Sequence, residues 1–240
     1  MKGPNCLNSL IKVLIKFRSY ETALIYDLSK AYYHLHTGPV EKYTRLVLWR
    51  DCNSSTEWKT YGFDCTAFGD IPAAVQLEVG KRLCAEAGVN IDEEASDRII
   101  RDTYVDDGAT GGSPEQVERF RGKKGTDGKY DGTIPEILGL GGLEVKAMMV
   151  SGEEDTDAID KLGKKVLGID YDVGKDILNF PLEVHVHPKK RGVTLENMSD
   201  MDSVTITPLM LTGLVNSFYD PLSLMCPWLS KYKLMLKKLT

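Results

Sequence analysis

Short runs of apolar, β-branched and aromatic residues recur along the chain, and they predict the strands of a sheet. Such runs predict strands at 22–27, 44–49 and 99–105. The third run leads into Asp107-Gly108, and this dipeptide is one of the strongest short signals for a β-hairpin turn. Residues 109–112 can then begin the return strand. The pattern therefore predicts an antiparallel hairpin with acidic residues at its tip.

Apolar residues at helical spacing predict helices between and after these strands. The predicted helices cover residues 5–19, a short segment near 29–35, 72–88 and most of 208–239. The helix at 72–88 has Pro72 at its start and Gly88 at its end, as helices often do. Residues 122–132 read as a loop, and 163–187 read as strands joined by turns. Helices that alternate with short strands in this way predict an α+β fold with an antiparallel sheet.

Composition places the chain among folded proteins. Hydrophobic residues make up 42% of the 240 residues, which is enough for a core. No run of 18 apolar residues is present, so no membrane span and no membrane partner are expected. The first residues lack the apolar centre of a secretion signal, and the 5 cysteines form no Cys-x-x-Cys pair. We therefore expect an intracellular, cytoplasmic protein with reduced thiols that is not secreted.

Three carboxylates are the candidate chemical groups. Asp27 ends the strand at 22–27, while Asp106 and Asp107 lie at the hairpin tip. Adjacent residues of a regular strand point to opposite faces, but a turn lets both carboxylates reach one cavity. If the two strands are neighbours, the three acids make a site for Mg²⁺, with Mn²⁺ as a substitute. The alternatives are a solvated Asp-Asp-Gly turn and a strand end capped by Asp27.

Several segments, in this order, resemble the palm of a reverse transcriptase, and they are most similar to the pol region of LTR retrotransposons of the BEL/Pao group. Single short motifs match by chance, whereas an ordered series is specific. The segments are a helix at 8–18, the polymerase A motif at 26–32, a strand at 45–50, the B motif at 66–74, the C motif at 104–107, a late Leu-Gly segment at 165–171 and a Tyr-Asp-Pro-Leu stretch at 218–222.

The resemblance implies an RNA-directed DNA polymerase, that is, a nucleotidyltransferase that uses two metal ions. It implies that Asp27, Asp106 and Asp107 are the metal ligands and catalytic residues, and that Lys146 donates a proton to pyrophosphate. It implies nucleotide-binding roles for Lys30, Ala31, Tyr32, Phe68 and Gly69, with Tyr32 excluding a 2′-hydroxyl. The plainer interpretation is that Tyr32 and Phe68 are core aromatics and that Lys146 is a surface lysine.

The resemblance also implies an organisation and a set of partners. Residues 1–180 are expected to form the palm with partial fingers, and residues 181–240 the start of a thumb or connection region. The expected partners are an RNA or DNA template with its primer, dNTPs, and the RNase H and integrase domains of the parent polyprotein. The chain is expected to be a fragment of that polyprotein or a domesticated copy, present in the cytoplasm or in virus-like particles.

Some features favour other functions. The net charge is −5, although residues 1–50 carry an excess of +5, around the A motif. Asp70 puts an acid into the B motif, Tyr171 stands where the group usually has Trp, and 113–142 fits the family poorly. A catalytically inactive palm remnant that only binds, and an unrelated metal-dependent phosphodiester hydrolase, therefore remain open.

We do not expect His185 and His187 to bind metal, since no third ligand is evident.

Overall fold

A computed structural model describes residues 4–52, 55–153, 155–180, 212–213, 215–216 and 218–239. The chain divides into two units, the first comprising 1–163 with 173–175 and the second 164–172 with 176–240. The helices of the first unit are α1 (Leu10–Phe17), α2 (Ala73–Ala87), α3 (Glu93–Arg101), α4 (Pro114–Arg121), α5 (Thr133–Gly139) and α6 (Thr156–Leu162). Its strands are β1 (Thr22–Ser29), β2 (Leu46–Trp49), β3 (Lys59–Gly62), β4 (Thr103–Tyr104), β5 (Asp107–Gly112) and β6 (Glu144–Val150), and 3-10 turns cover Ala31–His34 and Glu41–Thr44.

A four-stranded antiparallel sheet in the order β4-β5-β1-β6 carries the three acidic residues. Strand β1 is an inner strand of this sheet. Most of its residues are buried, on both faces. The side chains of Leu24, Tyr26 and Leu28 point into a core that they share with helices α2 to α5. Because side chains alternate along a strand, Asp27 belongs to the opposite face, together with Ala23 and Ile25. The fold is therefore α+β with antiparallel sheets, as the sequence predicted.

The predicted strand at 99–105 is wrong over most of its length. Residues up to Arg101 belong to helix α3, and strand β4 is only Thr103–Tyr104. Asp92 caps this helix by accepting a hydrogen bond from the backbone N–H of Ala95 at 3.1 Å. Ile99 is fully buried in the core on the inner face of the helix. Capping and burial thus outweigh the β preference of two adjacent isoleucines.

The predicted position of the hairpin turn is also wrong, although the hairpin itself is confirmed. Thr103 pairs with Gly108, and Tyr104 pairs with Asp107. The loop is therefore residues 105–106, and Asp107-Gly108 already belongs to the return strand. Gly108 is required there for a different reason, because a Cβ at this position would overlap the ring of Tyr26.

The remaining elements are two small sheets and a C-terminal helix. Strands β2 and β3 of the first unit pair with each other, and their side chains are exposed. In the second unit, β7 (Lys165–Val166), β8 (Ile169–Asp172) and β9 (Ile177–Asn179) form a sheet, and α7 spans Cys226–Leu239.

Two segments of the family resemblance meet within the second unit. The hydroxyl of Tyr219 donates a hydrogen bond to the carbonyl oxygen of Leu167 at 2.8 Å, and its ring lies against Gly168. The Tyr-Asp-Pro-Leu stretch and the late Leu-Gly segment are therefore in contact. His185, His187 and the predicted boundary at 180/181 fall at or in segments outside the described residues. Among the helices described, none is both long enough and apolar enough to cross a membrane.

Candidate metal and nucleotide site

Asp27 and Asp107 are directly opposite each other on neighbouring strands. They are paired in the antiparallel register of β1 and β5, so their side chains leave the same face of the sheet. Directly opposed Cβ atoms in such a pair lie about 4.5–5.5 Å apart. Both residues are partly buried. The sheet therefore brings together two carboxylates that are far apart in the sequence.

Asp106 is placed by the hairpin loop. The preceding residue, Val105, has a φ of 57°, a left-handed conformation that β-branched residues rarely adopt. The backbone N–H of Leu28 donates a hydrogen bond to the carbonyl oxygen of Asp106 at 3.2 Å. This bond joins the loop to β1 immediately after Asp27. Strain of this kind persists only where the surroundings impose it, and it is common at functional sites.

Lys146 reaches the same site through an irregularity in β6. Asp27 pairs with Ala147 and Leu28 pairs with Val145, so Lys146 is the extra residue between them. A bulge of this kind redirects a side chain. The ammonium Nζ of Lys146 lies 3.2 Å from Oδ2 of Asp27, although the lysine side chain is 43% exposed. Of the residues that the resemblance names, Lys146 thus makes a direct contact with a predicted metal ligand.

Burial and neighbouring charge raise the pKa of Asp27 and of Asp107. Burial, reinforced by the charges of Asp106 and Asp27, raises the pKa of Asp107 to about 6. Burial also raises the pKa of Asp27, and Asp106 adds to this rise, while Lys146 opposes it. The protein thus holds like charges close together in a partly dry place, where the arrival of a cation is favourable.

The donor set fits a divalent cation in its chemistry, since carboxylate oxygens are what Mg²⁺ and Mn²⁺ prefer. Within the described residues, however, no group of three or more His, Cys, Asp and Glu side chains is arranged to hold a metal ion. The Lys146 ammonium on Asp27 already supplies a positive charge at the site. Binding a divalent ion would therefore require Lys146 to leave Asp27 and the carboxylates to turn toward each other.

The predicted nucleotide residues lie on the segments that follow β1 and precede α2. The ring of Tyr32 packs edge-on against Phe68 with centroids 5.0 Å apart, and Tyr33 contacts the same ring at 6.0 Å. Phe68 is exposed, so its ring is not a core aromatic. Tyr32 is partly buried and packs against the core cluster as well. The A and B motifs of the resemblance therefore meet through these aromatic rings.

The three other predicted nucleotide residues differ in their surroundings. Lys30 is exposed and has a φ of 49°, so it makes the sharp turn from β1 into the 3-10 turn. Ala31 is buried beneath that turn. Gly69 has a φ of 93°, which favours glycine, and no atom lies within 4 Å of where its Cβ would be.

The acid in the B motif has a structural role. Oδ2 of Asp70 accepts a hydrogen bond from the backbone N–H of Ala67 at 3.0 Å, which closes the turn around Phe68 and Gly69. The same oxygen lies 2.8 Å from Nε of Arg45. The charge of Asp70 is therefore paired within the protein. Asp70 departs from the family pattern in the sequence, but no local signal indicates Arg45 as its partner.

Another acid, Asp102, fixes the base of the hairpin, and no sequence motif marks it. Asp102 is fully buried and accepts hydrogen bonds from the ammonium of Lys16 at 2.7 Å, the hydroxyl of Tyr20 at 2.6 Å and the hydroxyl of Thr110 at 2.8 Å. These partners come from the segment around α1 and from β5, so Asp102 joins both to the start of β4. A buried carboxylate is tolerated only when it is satisfied in this way.

Neither the models of known protein families nor the curated proteins contain a match to this chain.

Replacing Lys146 by methionine is expected to strengthen Mn²⁺ binding about three- to fivefold, because an exposed ion pair that competes for Asp27 contributes up to about 1 kcal/mol. Calorimetric titration of the metal-free protein with Mn²⁺ measures this change. Lys129→Met is the matched control, because Lys129 pairs with Glu144 at 3.1 Å rather than with an acid of the site. Unchanged or weaker binding by Lys146→Met would show that the lysine does not compete with the metal.

Proposed function

We propose that this chain is the palm of an RNA-directed DNA polymerase, which adds deoxynucleotides to a primer by metal-dependent nucleotidyl transfer. The observation that carries the proposal is the cross-strand pair Asp27–Asp107, with Asp106 in the adjoining loop. An ordered run of motifs resembles this family, and the sheet brings its two acidic motifs together. Within the proposal, Asp27, Asp106 and Asp107 hold Mg²⁺, with Mn²⁺ as a substitute.

The reaction is an in-line displacement at phosphorus. The primer 3′-hydroxyl gives up its proton to solvent, and its oxygen forms a bond to the α-phosphorus of the incoming dNTP. The bond from the α-phosphorus to the oxygen that bridges to the β-phosphate breaks, and pyrophosphate leaves. When bound, paired divalent ions stabilise the attacking and leaving oxygens of such a displacement. The protein contributes chiefly by positioning the reactants and stabilising charge.

The described residues supply two further parts of this reaction. Lys146 lies beside Asp27, within reach of the site, and would donate a proton to the leaving pyrophosphate. Tyr32 and Phe68 form an aromatic wall next to the A motif, where the ring of Tyr32 would exclude a sugar 2′-hydroxyl. Lys30 and Gly69 would line the path of the triphosphate at the turns on either side of that wall, and Ala31, which is buried, would support the first of these turns from below.

Primer extension on an RNA template tests the proposal. The assay contains an annealed DNA primer, the four dNTPs, and Mg²⁺ or Mn²⁺, with a chelator in a parallel reaction. We expect the wild type to extend the primer only with metal, and Asp106→Asn to abolish extension. Asp51→Asn is the matched control, because Asp51 is exposed and outside the site.

The other outcomes separate the competing functions. Mn²⁺ binding that requires Asp106 but is accompanied by no extension would favour a palm that only binds. Metal-dependent shortening of the primer or template would favour a phosphodiester hydrolase. Equal extension by the wild type and Asp106→Asn would show that the catalytic site has been assigned to the wrong residues.

A further inference from the structure

A buried lysine lies on the core side of the hairpin, opposite the face that carries Asp27 and Asp107. Lys81 of helix α2 is 1% exposed. Its Nζ donates a hydrogen bond to the hydroxyl oxygen of Thr103 at 2.7 Å and lies 2.9 Å from Oε2 of Glu78. A buried ion pair usually costs about as much in desolvation as it returns in attraction. Stability alone therefore does not explain why an ammonium group occupies this place.

The contact with Thr103 ties Lys81 to the acidic loop. Thr103 is the first residue of β4, it pairs with Gly108 of β5, and the next pair of the hairpin contains Asp107. The Thr103 hydroxyl in turn donates a hydrogen bond to the carbonyl oxygen of Ile99 at 2.9 Å. Lys81 thus links the helix that follows the B motif to the strand that leads into the C motif.

Asn8 also holds the start of β4 in place. The side-chain amide of Asn8 donates hydrogen bonds to the carbonyl oxygens of Ile100 at 2.8 Å and Thr103 at 2.9 Å. Arg82 lies 3.0 Å from Oε1 of Glu78 and also reaches the carbonyl oxygen of Cys6 at 3.3 Å. Arg82 therefore shares Glu78 with Lys81 and meets the hairpin only indirectly, through Asn8, whose Oδ1 lies 3.5 Å from the Arg82 guanidinium.

Lys81 interacts electrostatically with the acidic residues of the loop. Burial lowers the pKa of Lys81, while Glu78 and Asp106 oppose this change. Lys81 in turn acts against the rise in the pKa of Asp107.

We propose that Lys81 is a positioning residue for the Asp106–Asp107 loop: it fixes the base of the hairpin through its hydrogen bond to Thr103. The inference rests on the proposed function, because it concerns how that function's metal ligands are held. Lys81 does not touch the substrate and has no role in the chemical step itself.

The test compares substitutions that break the link with one that leaves it intact. Glu78→Gln/Lys81→Met removes the buried pair as a unit, so it leaves no bare charge in the core. Thr103→Val keeps the ion pair but removes the hydroxyl that accepts from Lys81. Arg82→Met is the comparison, because it also takes a cation from Glu78 but keeps the hydrogen bond between Lys81 and Thr103. Thermal unfolding confirms that each variant is folded before it is tested.

Two readouts report on position rather than on stability. The first is the zero-field splitting of bound Mn²⁺ in electron paramagnetic resonance, which depends on the arrangement of the ligands. The second is single-nucleotide incorporation, measured as kcat and KM. We expect both link-breaking variants to change the Mn²⁺ spectrum and to lower kcat roughly 10- to 100-fold, with KM for the dNTP within about threefold of wild type. Arg82→Met reaches the hairpin only through the 3.5 Å contact with Asn8, so it should change both readouts by much less than the link-breaking variants.

The outcomes distinguish this inference from the proposed function. If the wild type binds Mn²⁺ through Asp106 and the folded link-breaking variants give the same spectrum and kcat, the inference is overturned while the proposed function stands. If the wild type binds no Mn²⁺, both are overturned. A change of equal size in Arg82→Met would also overturn the inference, because it would assign the effect to Glu78 in general.

Discussion

Replacing Gly108 by alanine is expected to lower the free energy of unfolding by at least about 3 kcal/mol. The added Cβ would overlap Cζ and Cε1 of Tyr26. Neither partner can yield, because Tyr26 is 1% exposed within the core and Gly108 is held between β1 and β4. Urea unfolding followed by circular dichroism measures the loss. The substitution would also displace Asp107, the preceding residue, so under the proposed function any folded fraction should bind Mn²⁺ weakly.

Two comparisons show whether the loss arises at that contact. Gly139→Ala is the matched control, because nothing lies within 4 Å of its added Cβ, and the change should be about 0.5 kcal/mol or less. Tyr26→Leu opens space opposite Gly108, so the double variant should lose less than the sum of the single variants. Strict additivity would mean that the two side chains do not meet.

The role of Gly108 explains why the sequence predicted the hairpin but not its turn. Asp-Gly dipeptides are common in hairpin turns because glycine adopts positive φ freely. Here the glycine serves to make room for the ring of Tyr26, a residue 82 positions earlier in the chain. The left-handed residue is instead Val105, whose side chain gives no such signal. Local preference cannot predict a constraint that comes from a neighbouring strand.

Local sequence patterns predicted some of the other elements around the site and failed to predict others. The A-motif strand and the helix after the B motif follow from apolar spacing and were predicted within a few residues. Helix α4 was missed, although Ser113 and Gln116 form a capping box that a closer reading of the sequence could have found. Lys146 could be named only through the family resemblance, because the bulge that directs it toward Asp27 leaves no mark in the sequence.

The sequence of helix α2 contains a signal that Lys81 is buried. Leu77, Lys81 and Cys84 are spaced so that they share one face of α2, and all three are buried. A lysine within an otherwise apolar stripe must find a partner inside the protein. The sequence could therefore have predicted a buried ion pair at Lys81, but not that Thr103 would be its other contact, since this depends on how helix α2 packs against the sheet.

Replacing Asp107 by asparagine is expected to stabilise the metal-free protein near neutral pH and to have little effect near pH 4. The pKa of Asp107 in the folded protein is raised from 3.8 to about 6. Below the lower value, the carboxyl is protonated in both the folded and the unfolded chain, so its ionisation costs the fold nothing. Between about pH 3.8 and 6 the unfolded chain ionises this carboxyl while the folded protein keeps it protonated, so stability is lost as the pH rises, and above about 6 the loss is complete. The difference approaches about 3 kcal/mol at most above pH 7.

Divalent metal should reverse this order. A cation that binds the folded site but not the unfolded chain stabilises the wild type by about 2.7 kcal/mol at 100 times its dissociation constant. Under the proposed function Asp107 is a ligand, so Asp107→Asn should gain much less. Unfolding measured from pH 4 to 8, with chelator and with saturating Mn²⁺, tests both halves of the prediction, and Asp51→Asn controls for the loss of one exposed charge. If Asp107→Asn stabilises equally at pH 4 and pH 8, ionisation is not the cause. If Mn²⁺ stabilises both proteins equally, Asp107 is not a ligand, and the energetic cost of its burial needs another explanation.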